Sequence, residues 1–374
     1  MQKVAAVLTA AAVLDLFPDV LLVEGGGSAY NFYYDFVFPF HFESHHLTLV
    51  EERVRSFLKK KINTKTLEMI PSNAAEFLLH LGQPLRADIA KECTAPLLEL
   101  VQIGQFVDIC PLPHQIEIGA IALRAVVDFG GEKQRIEGVA AVDKEGLKNL
   151  IKQLQSYEKE NHIAIGSREK LFELVEGEGC VWYPRGQKLR QQLVDLWEEE
   201  HRDIARVVRG FSDAPPLPLL KKIPCIAEWV LESNSGEIEG LLNPKWSTSD
   251  RVYIRCSKDK ALSESISSLQ FMAKISKILH FETSFVVPPS YGRDEGTSLL
   301  VRALNECGSV YSENGEGTGV VMRTFDRLGR AWTLASLRVI MKPKENEVFF
   351  IRSSFGSLER VIALLLEMQQ EVQL

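Results

Sequence analysis

Residues 319–340, GVVMRTFDRLGRAWTLASLRVI, decide the fold class. Two runs rich in β-branched and aromatic residues flank Asp326-Arg327-Leu328-Gly329, which reads as a hairpin turn, so the two strands are antiparallel. Further short β-rich segments stand at 252–255, 284–287 and 348–353, and helical periodicity predicts helices near 261–279, 296–306 and 357–370. Strands in hairpin order, with helices packed on one side, predict an α+β architecture rather than a doubly wound sheet. Upstream, 187–208 reads as a long charged helix. Leu147, Leu150, Ile151 and Leu154 recur at helical spacing in 144–159, a natural connector between two halves. In the first half, Gly25-Gly26-Gly27 suggests a tight loop before a strand-like run through Phe36. Thr48 with Glu51 reads as a capping box opening an amphipathic helix to about residue 61.

With 374 residues, the chain is long enough for two domains and can bury its own core. Six scattered cysteines without a Cys-x-x-Cys pair form neither a disulfide framework nor a zinc ribbon, which fits a reducing compartment. The formal charge of -7 carries no overall basic footprint for nucleic acid, and no apolar run is long enough to span a membrane. The N-terminus is ambiguous by itself. Lys3 followed by the apolar run 4–14 resembles a secretory signal, yet an alanine-rich helix halted at Pro18 fits equally well.

Several stretches resemble the threonyl-tRNA synthetase family of class II aminoacyl-tRNA synthetases, in order and in spacing. Asn31-Phe32-Tyr33-Tyr34-Asp35 is similar to the family's Gly-Phe-Tyr-Tyr-Asp, and Val107-Asp108-Ile109-Cys110 with His114 to its Val-Asp-x-Cys-x-x-x-His. Residues 134–140 resemble the exit into the linker helix, and 177–186 the entry to the catalytic domain. Gly356-Ser357-Leu358-Glu359-Arg360 is close to motif 3. The resemblance implies an editing-like domain over 1–142, a linker helix over 143–170 and a truncated catalytic-like domain over 171–374, with no anticodon-binding domain. It also implies that residues 1–17 are structure rather than a cleaved signal, and that the protein is cytoplasmic.

The same resemblance implies what is missing. The family's His-x-x-x-His editing pair falls on Lys3 and Val7, which leaves Cys110 and His114 as a vestigial half-site. His41 and His45 have a similar interval but lie before the expected helix, so no metal site is read there. No Phe-Arg-x-Glu of motif 2 occurs, and the zinc-ligand histidine before motif 3 is Ile351. Arg360 and Glu316 stand as vestigial nucleotide-binding residues, with a local carboxylate as the alternative partner of Arg360. The expectation is a pseudoenzyme without metal or cofactor. It would act as a homodimer through the motif 1-like region (187–222), with tRNA or a synthetase as a further contact. A residual enzyme, either a trans-editing hydrolase or a nucleotide-dependent ligase, is one alternative, and a tRNA- or synthetase-binding module is another. Lys59-Lys60-Lys61 is a small basic patch that reads as a solvated helix end. The segment 224–250, with Trp229 and Trp246, is expected to fill the old cleft, since two indoles bring large apolar area.

Overall fold

The computed structural model describes residues 1–60, 64–109, 118–129, 132–175, 179–203, 222–230, 240–244, 246–341 and 346–368. The chain divides into two compact units, Met1–Gln155 and Ser156–Leu374.

The first unit begins with α1 (Gln2–Leu16), whose Val4, Ala5, Val7, Leu8, Ala12 and Val13 are all buried. A helix buried on nearly every side suits alanine, which adds little volume and has the best helix propensity. Residues 4–13 are therefore core, in keeping with the helical reading. Next come β1 (Leu21–Gly27), β2 (Phe32–Val37), α2 (Leu47–Lys59), β3 (Thr64–Met69), α3 (Pro71–His80) and α4 (Pro84–Glu92). The unit continues with β4 (Leu98–Ile103), β5 (Phe106–Ile109), β6 (Ala120–Asp128), β7 (Lys133–Ala141) and the long helix α5 (Lys144–Glu160). A four-stranded antiparallel sheet in the order β1-β2-β7-β6 packs on α1 and α2, and a three-stranded sheet β3-β4-β5 packs on α3 and α4.

Two local expectations are corrected here. The triple glycine is not a loop but part of β1. Gly25 and Gly26 pair with Tyr34 and Tyr33, whose rings lie where a Cβ on either glycine would stand, at 2.3 and 2.6 Å. The helix expected from Thr48 starts at Leu47, directly after a short 3-10 turn (Ser44–His46), and it is that turn that carries a capping box, formed by Glu43 and His46. Glu51 accepts from the backbone N–H of Leu123 instead, which ties α2 to β6.

The second unit holds α6 (His162–Arg168), β8 (Phe172–Val175), β9 (Gly179–Trp182), α7 (Pro184–Glu200), β10 (Lys222–Val230), β11 (Trp246–Ser257) and α8 (Ala261–Ile278). It ends with β12 (Ser284–Val286), α9 (Glu295–Glu306), β13 (Tyr311–Ser312), β14 (Val320–Phe325), β15 (Ala331–Met341), β16 (Glu347–Ser353) and α10 (Leu358–Glu367). Seven strands form one sheet in the order β10-β11-β16-β15-β14-β12-β13, antiparallel except for the short β12–β13 pair. The hairpin turn at 326–329 is present. The Asp326 carboxylate accepts from the N–H groups of Leu328 and Arg330, and Gly329 takes the left-handed conformation (φ 79) that the turn requires. Pro184 opens α7, and Asn161, Asp294 and Ser357 cap α6, α9 and α10 by accepting from backbone N–H groups.

Strand alternation sorts this sheet into two faces. Val252, Ile254, Phe350, Leu337, Val339 and Met322 point to one face and form a core with α8 and α9. On that same side α7 and α10 close over the β11 end, through Trp197, Leu358 and Val361. The architecture is α+β. No helix among the described residues is long and apolar enough to cross a membrane.

The described parts of the segment 224–250 include most of β10 and the start of β11, which pair in continuous antiparallel register from Lys222↔Ile254 to Val230↔Trp246, and residues 231–239 and 245 lie outside the described residues. Trp246 is 49% exposed and lies against Gly179 of β9, so the expectation that both indoles are buried fails for this one. The side chain of Trp229 lies outside the described residues.

Candidate active-site remnants in the two units

In the first unit the resemblance-bearing runs meet in space. Tyr34 of β2 donates its hydroxyl to Asp108 Oδ2 at 2.7 Å, and Arg86 of α4 donates Nε to Asp108 Oδ1 at 2.6 Å. The other arms of Arg86 reach the carbonyls of Val23 and Ile109. One strand away, Asp35 receives both Nε and Nη2 of Arg135, at 2.7 and 3.1 Å, and the guanidinium lies 3.7 Å from the centre of the Tyr33 ring. Asp35 and Asp108 are fully buried and fully paired, so these contacts carry structure, because an unpaired charge there would be strongly destabilising.

Cys110 and His114 lie outside the described residues. Val7 is buried in the core, and Lys3 is exposed near the start of α1. A cavity of about 940 Å³ opens at the other end of α1, lined by Ala11, Leu14, Phe57, Phe77 and Phe106, and neither Lys3 nor Val7 borders it. His41 pairs with Asp128 at 3.7 Å and His45 with Glu43 at 3.4 Å, so the two imidazoles serve different carboxylates. Among the described residues, no group of three or more His, Cys, Asp or Glu could hold a metal ion.

In the second unit the turn from β16 into α10 is clamped from β11. Asp250, 1% exposed, accepts from the backbone N–H groups of Ser354 and Phe355, from the Ser353 hydroxyl and from the Trp197 indole, all at about 3 Å. Gly356 follows with φ 61, and a Cβ there would stand 2.7 Å from the Leu334 carbonyl oxygen. Only glycine suits both conditions. Glu359 accepts from the Thr248 N–H at 2.8 Å and from Arg190 at 3.4 Å.

Among the described residues, Arg360 does not have the carboxylate partner that the sequence suggested. Its neighbour Glu359 is taken by β11 and Arg190. Its guanidinium instead donates to two backbone carbonyls, Nε to Leu242 at 2.8 Å and Nη1 to Thr333 at 3.0 Å, 5.3 Å from the Trp332 ring. Burial lowers its pKa. Glu316 is exposed on the loop that leaves β13, the edge strand, whereas Arg360 bonds to β15 three strands inward. The structure does not bring the two together.

Beside this region Arg352, also buried, donates to Nε2 of His201 at 2.9 Å, and the other ring nitrogen of His201 donates to the Trp197 carbonyl at 2.7 Å. Both ring positions are used by the neutral imidazole, and burial holds the His201 pKa down. Burial likewise lowers Arg352, to about 10.

No family model matches the chain. It is 26% identical to a threonine–tRNA ligase of Oleidesulfovibrio alaskensis, over 97% of this chain and 70% of the relative. It is 24% identical to that of Clostridium novyi, over 98% and 71%. This chain is a shortened relative of the threonyl-tRNA synthetases. The first of these matches runs over 452 residues, more than the 374 of the chain, so dozens of the synthetase's positions have no counterpart inside it. Among solved structures, the RNA-binding domain of a Cryptosporidium parvum threonyl-tRNA synthetase matches with a TM-score of 0.47 at 18% identity, over 55% of this chain and 72% of that one. A Giardia lamblia prolyl-tRNA synthetase matches with a TM-score of 0.42 at 11% identity, over 57% and 52%.

Proposed function

We propose that this threonyl-tRNA synthetase-like chain does not aminoacylate and acts by binding. The engagement of Arg360 carries the reading. An adenylation site stabilises charge developing on the α-phosphate, and that stabilisation supplies most of the rate. Here the one arginine kept in its motif turns Nε and Nη1 to the carbonyls of Leu242 and Thr333. The connection between β10 and β11, residues 231–245, contains Glu232, Glu237 and Glu239 but no arginine. A homodimer through the motif 1-like region, whose helix is α7, goes with this reading. Half of that region, 204–221, lies outside the described residues.

The test is charging of tRNA specific for threonine with labelled amino acid, alongside sedimentation of the same preparation. The proposal expects no threonyl-tRNA above the enzyme-free background and a mass of two chains. Turnover of charged tRNA that scales with protein concentration would overturn the loss of activity. A monomer at micromolar concentration would overturn the dimer alone.

A further inference from the structure

We infer that the cavity at the C-terminal end of α1 binds a medium-chain monocarboxylate, with the apolar tail between the two cores of the first unit and the carboxylate at Arg53. The first unit holds two separate hydrophobic clusters. One gathers α1, α2 and the sheet β1-β2-β7-β6, and the other gathers α3 and α4. The β4–β5 hairpin stands between them, giving Ile103 and Phe106 to the first cluster and Leu100 and Val107 to the second. The cavity follows this seam at the hairpin's turn. Phe57 and Phe106 line it from one cluster, Phe77 and Leu81 from the other, and Leu14 closes it from the last turn of α1. Its volume of about 940 Å³ lies near the upper end of the range for small-molecule sites. Leu14, Phe77 and Leu81 are only half-buried, so the seam leaves apolar surface in contact with water. A hydrocarbon tail laid along it removes that surface from water, which is the main source of affinity for such a ligand.

Apolar walls do not choose a head group, but the rim does. Arg53 stands there, one turn before Phe57 on α2. Its Nε faces Asp15 Oδ2 at 2.6 Å, and its guanidinium lies 4.9 Å from the centre of the Phe57 ring. That pairing uses one edge of the fork. Among the described residues neither Nη has an acceptor, so the second edge can hold a carboxylate through two parallel N–H···O bonds. Lys60 follows Phe57 by three residues on the same side of α2 and is exposed. Asp15 is the one acidic residue among those lining the cavity, and Arg53 with Lys60 outweighs it. An ammonium head would meet a carboxylate that is already paired and a guanidinium that repels it. None of Lys3, Tyr34, Arg86 or Asp108 borders the cavity, and Lys3 lies about 12 Å from Ala11 along the helix. The site is therefore separate from the editing remnants. It uses neither Arg360 nor the motif 3 turn, so it does not rest on the loss of aminoacylation.

The experiment is isothermal titration of the whole chain with sodium decanoate below its micellar concentration, with hexanoate and decyltrimethylammonium in separate arms. The same titrations use Arg53→Met, which keeps a stem against Phe57, and Leu81→Trp, which fills the cavity from the end of α3. Arg55→Met, on an exposed residue of the same helix, is the control for lost charge. One-to-one binding of decanoate is expected, with hexanoate and decyltrimethylammonium each at least tenfold weaker. Arg53→Met should weaken decanoate at least tenfold and Arg55→Met less than twofold, while Leu81→Trp should abolish binding with its melting temperature kept. Leu81→Trp leaves the Asp15–Arg53 pair in place, so it tests the site even where Arg53→Met lowers stability. Absence of decanoate binding at millimolar concentration overturns the site, as does binding that Leu81→Trp leaves unchanged. Equal affinity for decanoate and decyltrimethylammonium, or equal weakening by Arg53→Met and Arg55→Met, overturns the carboxylate assignment.

Discussion

Asp250→Ala is expected to destabilise the second unit by about 4 kcal/mol, because it leaves several buried donors without an acceptor at once. The Asp250 carboxylate holds the N–H groups of Ser354 and Phe355, the Ser353 hydroxyl and the Trp197 indole in one place. No water can replace it in a position that is 1% exposed. For a unit of this size the loss corresponds to a fall of roughly 10 °C in melting temperature. Asp250→Asn keeps one acceptor oxygen and should cost about half as much. Hydrogen exchange locates the effect: amides of β16, α10 and the end of α7 should lose protection, while β2 and β7 keep theirs. Uniform loss across both units, or a fall of only a degree or two, would show that the turn into α10 is held by something other than this carboxylate.

The second large effect belongs to the first unit. Arg86→Met should cost about 3–5 kcal/mol, since it strands the Asp108 charge in a site that is 2% exposed and frees the carbonyls of Val23 and Ile109. Tyr34→Phe removes one hydrogen bond to the same carboxylate and should cost only about 1–2 kcal/mol. The double change Arg86→Met with Asp108→Leu removes both charges, so it should be less destabilising than the sum of the two single changes. Denaturation of the four variants measures the coupling. A sum that is simply additive would mean that the two side chains act independently, contrary to their 2.6 Å contact.

The contrast between these two sites shows what a sequence reader can see. The 326–329 turn, the strands beside it, α5, and α8 to α10 all follow local rules of spacing, capping and turn chemistry, and they are found where expected. The misreadings arise where partners are distant. Thr48 and Glu51 satisfy the capping pattern, but Glu51 is used by a strand 72 residues away. Gly25 to Gly27 look like a loop until the tyrosine rings of β2 are laid across them. The partners of Arg360 are backbone carbonyls, which leave no trace in the identity of the residues that supply them. The strand at 222–230 is hidden for a related reason, since β10 gains its identity only by pairing with β11.

The most direct measurement of the central claim is threonine-dependent exchange of labelled pyrophosphate into ATP, which reads adenylate formation without requiring tRNA. With Arg360 bound to carbonyl oxygens and no arginine in the 231–245 connection, the exchange rate should equal that of an enzyme-free control at saturating ATP and threonine. Exchange that saturates with threonine, and that disappears on Arg360→Ala, would contradict the account, because this guanidinium would then have to leave its carbonyls and meet the nucleotide.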